Sequence, residues 1–421
     1  MSVKMKLTKM EKAWVLYDVG NSAFILLVST LFPVYFDAIA QQAGISSVDY
    51  LAYWGYATSA VTIIVAFSGP VLGTMTDFKG WKKPVFVCSM LLGAVSCLLL
   101  GFTQSWLVFL VIFVIAKCGF SASLIFYDAM LADVTTQERM DEVSARGFAW
   151  GYIGSCIPFA AGLVLVLSAP KIGLGQMQAM TIAFSISAVW WFLATVPLWR
   201  SYRQLHYVPA ERGVIRDSFR RLADTLKNMR KHPEVFWFLL SFFCYIDGVY
   251  TIIDMATAYG TALGLDTTGL LLALLVTQIV AFPATLMFGR LSGRYSPRIL
   301  ISVCIGAYTL ITVFGMTLDS QTKFWILAVC VGLFQGGVQA LSRSHFAKII
   351  PKEQSGEYFG IFDICGKGAS FVGTMLVSIT SQVTHSIHYG IGSLIVLFIL
   401  GFLLFQKSCR YLQTSQKQAE L

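Results

Sequence analysis

The chain has 421 residues, of which 56% are hydrophobic and 13% are charged, and its formal net charge is +9. Soluble domains carry roughly 25% charged residues, so this composition, with a mean hydropathy of +0.70, excludes an ordinary soluble protein. About twelve apolar runs fill the chain, most of them close to the roughly 20 residues that cross a bilayer.

We predict that every run is a helix, because the lipid offers no hydrogen-bond partner to an open backbone. The predicted spans are residues 14–36, 50–75, 83–103, 106–131, 147–168, 177–199, 235–259, 267–289, 297–318, 323–342, 358–380 and 387–406. They divide the chain into a six-helix half (1–199), a linker (200–233) and a second six-helix half (234–421). The fold class is therefore an all-α membrane protein.

The linker is basic and carries apolar residues at helical spacing. These are Ile215, Phe219, Leu222, Leu226 and Met229. The pattern predicts an amphipathic helix on the cytoplasmic surface of the membrane. We interpret it as a tether between the halves in preference to a regulatory element.

Positive charge alternates between loops. One side of the membrane receives almost all of the lysines and arginines, whereas the loops of the other side carry Lys171 and Lys323. The positive-inside rule then places both termini in the cytoplasm. The net charge is thus a topology signal, and we expect anionic lipid headgroups as partners and not nucleic acid.

The nine cysteines lie almost all within spans or at cytoplasmic ends, so no disulfide is expected. The sequence contains no Cys/His cluster of the kind that binds a metal, and no cofactor is expected. It also contains no nucleophile–base arrangement, so we do not expect an enzyme.

The two halves share local patterns. A stretch after the second span contains Gly73, Asp77, Gly80, Lys82 and Lys83, and Gly289-x-x-x-Gly293-Arg294 follows the eighth span. In addition, the first span of each half carries an acid just after a tyrosine: Tyr17-Asp18 and Tyr245-Ile246-Asp247. Repeated six-helix halves are the plan of the major facilitator superfamily, in which the substrate binds near the midplane between the halves.

The stretch from Gly73 to Lys83 resembles the signature loop of that superfamily. The resemblance implies that the glycines allow close helix approach, that Asp77 caps a helix end and that the basic residues hold a cytoplasmic gate. Phe78 and Trp81 stand where the family usually has basic residues, and Gly293 replaces the second-half acid.

Further motifs resemble the vacuole-effluxer-like branch of the superfamily. They are Trp14-x-x-Tyr17-Asp18-x-x-Asn21-Ser22-Ala23-Phe24, Ser144-x-x-Gly147-Phe148-Ala149-x-Gly151-Tyr152, Tyr245-x-Asp247-Gly248, Gln335-Gly336-Gly337-Val338-Gln339-Ala340-Leu341-Ser342-Arg343-Ser344 and Tyr358-Phe359-Gly360-x-x-Asp363-x-x-Gly366-Lys367. That branch includes fungal vacuolar amino acid exporters and bacterial proteins, and the compact loops resemble the bacterial members. The resemblance therefore implies a bacterial cytoplasmic membrane.

Charged residues inside spans are costly and usually mark a pathway or a buried pair. Asp18 and Asn21 share one face of the first span, as candidates for binding a substrate amine or a proton; a packing hydrogen bond is the alternative. Asp247 and Asp254 share one face of the seventh span. Asp247 falls near mid-membrane, where a carboxylate without a fixed partner can carry a proton, and Asp254 lies nearer the outside. A salt bridge to a neighbouring helix is the alternative.

Lys117 lies near the middle of the fourth span, with Asp128 three turns further along the same face. Lys117 is a candidate for neutralising Asp247 or for holding a substrate carboxylate, and a structural ion pair is the alternative. For Asp128, near the cytoplasmic end, gating contacts are expected.

Asp363 and Lys367 form an i,i+4 pair, for which local neutralisation is the simpler interpretation. Arg343, one turn after Gln339, is a candidate partner of Asp363 in a gate, or a site for an anionic substrate group. Further candidates for the pocket wall are Tyr17, Tyr152, Tyr245 and Tyr250, although packing is the common role of tyrosines in spans. Gln339 is a further candidate for binding the substrate or a proton.

These observations favour a monomeric secondary transporter of a small polar solute, such as an amino acid, that works by alternating access and is coupled to protons through Asp247 or Asp18. A transporter of a lipid or another amphiphile is the first alternative. A receptor or sensor without transport activity is the second.

Overall fold

The structure is a computed structural model, and it describes residues 6–209 and 214–419. The first half contains α1 (Lys9–Ser29), α2 (Leu31–Gln42), α3 (Ser47–Thr76), α4 (Lys82–Leu100), α5 (Trp106–Ala129), α6 (Leu131–Val134), α7 (Met140–Ser168) and α8 (Gln176–Ser201). The linker contains α9 (Val214–Asn228). The second half contains α10 (Pro233–Ala262), α11 (Thr267–Leu291), α12 (Pro297–Gly315), α13 (Gln321–Ile349), α14 (Ser355–Thr384), α15 (Ile387–Gly392) and α16 (Leu394–Ala419).

The all-helical prediction with twelve spans is confirmed at the level of the fold. Among the described residues, 11 helical segments are long and apolar enough to cross a membrane. The helix α14, with 30 residues, supplies the twelfth long segment. Several helices outrun their predicted ends: α13 continues to Ile349 and α16 to Ala419. The prediction counted only apolar residues, whereas 30 residues of helix measure about 45 Å and extend past a hydrocarbon core of about 30 Å.

The first span is broken, although the sequence predicted one continuous helix. The interruption falls at Thr30, between α1 and α2, where the backbone has φ −131° and ψ −76°. Pro33 explains the break, because its ring lacks an N–H and would clash with the carbonyl four residues earlier in a continuous helix.

The repeat seen in the sequence recurs as matched hydrogen bonds. Tyr17 on α1 donates to Ser123 on α5 at 2.7 Å, and Tyr245 on α10 bonds to Ser342 on α13 at 2.6 Å. Near the other end of the same spans, the phenols of Tyr35 and Tyr259 each donate at 2.9 Å to the carbonyl of a glycine, Gly101 and Gly315 respectively. In both halves the first span is therefore tied to the third and the fourth in the same way.

The halves meet mainly near one end of the bundle. We call this the basic end; it holds both described termini, the linker and the loops 77–81, 135–139, 292–296 and 350–354. The helix pairs α3–α14 and α7–α11 make the largest contacts between halves. At the opposite end, α2 and α15 make their substantial contacts within their own halves. The arrangement is that of a bundle closed at the basic end and divided at the opposite end.

Candidate functional site

The closed end begins with a close backbone approach between α3 and α14. A Cβ added to Gly73 would lie 2.2 Å from the carbonyl oxygen of Gly356, so only glycine fits there. One turn later, Asp77 accepts hydrogen bonds from the backbone N–H groups of Gly356 (2.7 Å) and Glu357 (2.9 Å). A carboxylate of the first half thus caps the N-terminus of a helix of the second half, where negative charge is stabilised by the helix dipole.

Lys82 completes this contact. Its side chain is fully buried, and Nζ donates to Ser355 Oγ at 2.8 Å and lies 3.9 Å from Asp77 and 3.6 Å from Asp133. Gly80 adopts φ +81°, a conformation that favours glycine, in the turn that leads to Lys82. Lys83 is half-buried at the start of α4. Of the signature-loop residues, Asp77, Gly73 and Lys82 therefore contact the other half directly.

Arg343 of α13 lies where the closed basic end meets the part of the bundle in which the halves are separate. Its guanidinium lies 2.9 Å from Asp128 and 3.7 Å from Asp18, and it donates to both the hydroxyl and the carbonyl oxygen of Ser144 at 3.0 Å. All of these partners belong to the first half. A cation of the second half is thus enclosed by two carboxylates of the first, in place of the predicted partner Asp363.

Aromatic rings surround the same guanidinium. Its central carbon lies 4.2 Å from the ring centroid of Phe148, 4.7 Å from Trp14 and 5.5 Å from Tyr127. Asn21 donates to Asp18 at 3.4 Å, so the two residues do share a face, and this hydrogen bond leaves Asp18 directed at Arg343. Arginine stacked on rings and paired with carboxylates is held strongly when desolvated.

Lys117 and Asp254 come from opposite halves. Their charges interact, and Asp254 is exposed although it lies within a span. Tyr250, one turn earlier on α10, is half-buried. Tyr152 of α7 donates to Gln339 of α13 at 3.3 Å, which is again a contact between halves. These residues lie between Arg343 and the opposite end of the bundle.

Asp247 lies inside the second half. It is fully buried between α10 and α14, both in the second half, and accepts from the backbone N–H of Gly373 at 2.9 Å and from Thr251 at 3.3 Å. Asp363 interacts electrostatically with Asp128 across the halves. The predicted pair of Asp363 with Lys367 involves a side chain outside the described residues.

The sequence did not single out Asp133 as the centre of a cluster. Asp133 accepts from Tyr202 at 2.5 Å and from the backbone N–H groups of Leu205 and His206 at 3.2 and 2.9 Å. Burial, together with the charge of Asp133, raises the pKa of the Tyr202 phenol well above its usual value, so the phenol stays a donor. The sequence signal was an acid near the cytoplasmic end of the fourth span, where contacts with basic loop residues are expected, but sequence alone could not show that the linker turns back onto Asp133.

Within the described residues, no group of three or more His, Cys, Asp or Glu side chains could hold a metal ion. The contacts that join the halves at this site are ion pairs and hydrogen bonds.

Comparison with known proteins agrees with this geometry. The structure superposes on that of FucP, a major facilitator superfamily transporter in the outward conformation, with a TM-score of 0.75, 14% identity and coverage of 95% of this chain and 97% of that chain. The fold is therefore that of a major facilitator superfamily transporter.

The family follows from sequence. The model described as "Vacuole effluxer Atg22 like" matches residues 8–419, and the chain belongs to this family. It is 41% identical over 404 residues to the uncharacterized MFS-type transporter YxiO of Bacillus subtilis, covering 95% of this chain and 94% of that protein. It is 22% identical to the autophagy-related protein 22 of Candida glabrata, covering 94% and 88% respectively.

Proposed function

We propose that the protein is a proton-coupled secondary transporter that moves a small zwitterionic solute, such as an amino acid, by alternating access. One observation carries the substrate class: Lys117 of α5 and Asp254 of α10 belong to opposite halves and carry opposite charges that attract each other electrostatically. A cation and a carboxylate on opposite walls match the carboxylate and ammonium groups of a zwitterion. Binding would replace their mutual interaction with two new ion pairs and draw the halves together.

We assign the basic end to the cytoplasm, on the charge of its loops. With this assignment the conformation is outward-facing: the bundle is closed between Arg343 and the cytoplasmic end, and the space between the halves opens to the outside. A cysteine at Ser46 would react with an impermeant reagent added outside intact cells, and one at Glu138 would react only after permeabilisation. The reverse labelling would overturn this orientation.

Proton coupling is assigned to Asp18 with Asp128, and Asp247 is the alternative. Two carboxylates facing one guanidinium carry one uncompensated charge, which a proton neutralises. Protonation weakens the hold on Arg343 and so favours separation of the halves at the basic end. Asp247, inside the second half, has no such direct route to the contact between halves.

The first experiment measures thermal stability of the purified protein with amino acids, peptides, sugars and lipids. A ligand of the folded state at 100 times its Kd raises stability by about 2.7 kcal/mol. We expect stabilisation by an amino acid, and loss of that stabilisation in Lys117→Gln and Asp254→Asn. Stabilisation by lipids alone would favour transport of an amphiphile.

The second experiment separates the proton sites in proteoliposomes, with a mixture of radiolabelled amino acids as the probe. We expect Asp18→Asn to lose accumulation driven by a pH gradient but to keep exchange without a gradient, because the amide mimics a protonated acid. Asp247→Asn is expected to keep both. Loss of accumulation only in Asp247→Asn would transfer the role to that residue.

A further inference from the structure

The linker does not simply join the halves, because its first part is bound to the first half. Residues 202–208 run back over the signature loop: Val208 donates from its backbone N–H to the carbonyl of Asp77 at 2.9 Å and pairs with Phe78 as an isolated parallel bridge. Gln204 donates to the carbonyl of Thr76 at 3.1 Å and accepts from the N–H of Gly80 at 2.9 Å. Together with the hydrogen bonds to Asp133, these contacts fix the linker to the first half beside the α3–α14 contact. We call that contact, around Gly73, Asp77 and Gly356, the gate.

The second part of the linker, α9, reaches the second half. It packs against α3, and Arg221 extends from it to Glu357 in the first turn of α14, with Nη2 3.6 Å from Oε2. The guanidinium also lies over Phe78, 5.5 Å from the ring centroid. One helix of the linker thus contacts both sides of the closed gate.

The charges explain why this contact stabilises the closed gate. Two carboxylates, Asp77 and Glu357, meet at the N-terminus of α14, and the Glu357 side chain is fully buried. Lys82 offsets the first carboxylate and Arg221 the second. Removing one partner of a buried ion pair leaves an uncompensated charge, which is strongly destabilising. When the gate opens, α14 leaves Asp77 and Glu357 gains water, so that loss of Arg221 costs the closed state more than the open one.

We propose that α9 is a positioning element of the basic-end gate, in which Arg221 holds Glu357 of the second half against the linker-bound first half and so stabilises the closed conformation. This inference rests on the proposed alternating access. It assigns to the linker a role beyond the tether expected from its sequence.

The test measures the distance between spin labels at Gln137 and Glu353, two exposed positions at the basic end on opposite halves. The labels are attached through a bio-orthogonal side chain, so that the native cysteines stay in place. We expect Arg221→Gln to raise the ratio of long-distance to short-distance populations about tenfold, which corresponds to ~1.4 kcal/mol. The matched control is Arg220→Gln, which makes the same change at an exposed residue of α9 and is expected to leave the ratio unchanged.

Equal ratios in Arg221→Gln and Arg220→Gln would overturn the proposal. Should Arg221→Gln not fold, the double exchange Arg221→Glu with Glu357→Arg decides: recovery of the short distance supports the pair, and failure to recover it contradicts the pair. Asp77→Asn, which removes the cap of α14, is the positive control. If the distance stays short even in that variant, the basic end does not open, and the fault lies with the proposed alternating access.

Discussion

The two halves share their packing and differ in their charges. In each half a tyrosine of the first span bonds to a serine of the fourth, Tyr17 to Ser123 and Tyr245 to Ser342. The acid that follows is one residue later in the first half (Asp18) and two residues later in the second (Asp247). Each residue turns an α-helix by about 100°. The single-residue shift therefore directs Asp18 towards Arg343 of the other half and Asp247 towards α14 of its own half.

The gates differ in the same way. The α3–α14 contact is capped by Asp77, whereas the equivalent loop after α11 has Gly293 in place of that acid. There, the packing of Gly289 against Ala145 is accompanied by an ion pair of 2.6 Å between Lys348 and Asp141. The halves thus share the contacts that position their helices and differ in the charged groups at the contacts between them.

The largest effect expected from this asymmetry is at Arg343. Arg343→Gln leaves the buried Asp18 and the half-buried Asp128 opposite a neutral group, and breaking a buried ion pair costs about 3–5 kcal/mol. We expect a marked fall in thermal stability in detergent. The triple change Arg343→Gln, Asp18→Asn and Asp128→Asn should recover most of it. A triple variant less stable than Arg343→Gln alone would show that the charges do not act as one cluster.

A smaller effect is expected from substituting the two glycines at the contacts between the halves, Gly73 at α3–α14 and Gly289 at α7–α11. Alanine at Gly73 meets a backbone carbonyl at 2.2 Å, whereas alanine at Gly289 meets the side chain of Ala145 at 2.6 Å. Overpacking costs about 1–3 kcal/mol, and the closed conformation bears that cost at both sites. We expect Gly73→Ala to open the basic end more than Gly289→Ala, as measured with the labels at Gln137 and Glu353. In addition, Ala145→Gly should rescue Gly289→Ala; absence of rescue would contradict this packing.

The sequence predicted well whatever depends on one helix, and less well what depends on two. The spans, the repeat and the shared face of Asp18 and Asn21 follow from periodicity and composition. The partners of Arg343 could not be predicted, because they lie on other helices: the sequence offered Asp363 as a gate partner, whereas packing placed Asp128 and Asp18 against the guanidinium. Likewise, the apolar spacing of α9 predicted an amphipathic helix but could not show that Arg221 reaches Glu357.

The smallest effect is expected at the hydrogen bonds that both halves make. Tyr17→Phe and Tyr245→Phe each remove one buried hydrogen bond, which is worth about 0.5–1.5 kcal/mol. We expect similar losses of thermal stability from the two changes, and additive losses from the double variant, because the sites lie in separate halves. If only one of the two single variants loses stability, the matched tyrosine–serine hydrogen bonds do not contribute equally in the two halves.

The central claim is that the two ends of the bundle open in turn. It is tested by adding a second pair of spin labels, at Gln104 and Thr317, in corresponding loops at the opposite end. Without solute we expect a short distance between Gln137 and Glu353 and a long one between Gln104 and Thr317. Opening the basic end with Asp77→Asn should lengthen the first distance and shorten the second. Changes of the same sign at both ends, or a fixed distance at the opposite end, would contradict alternating access.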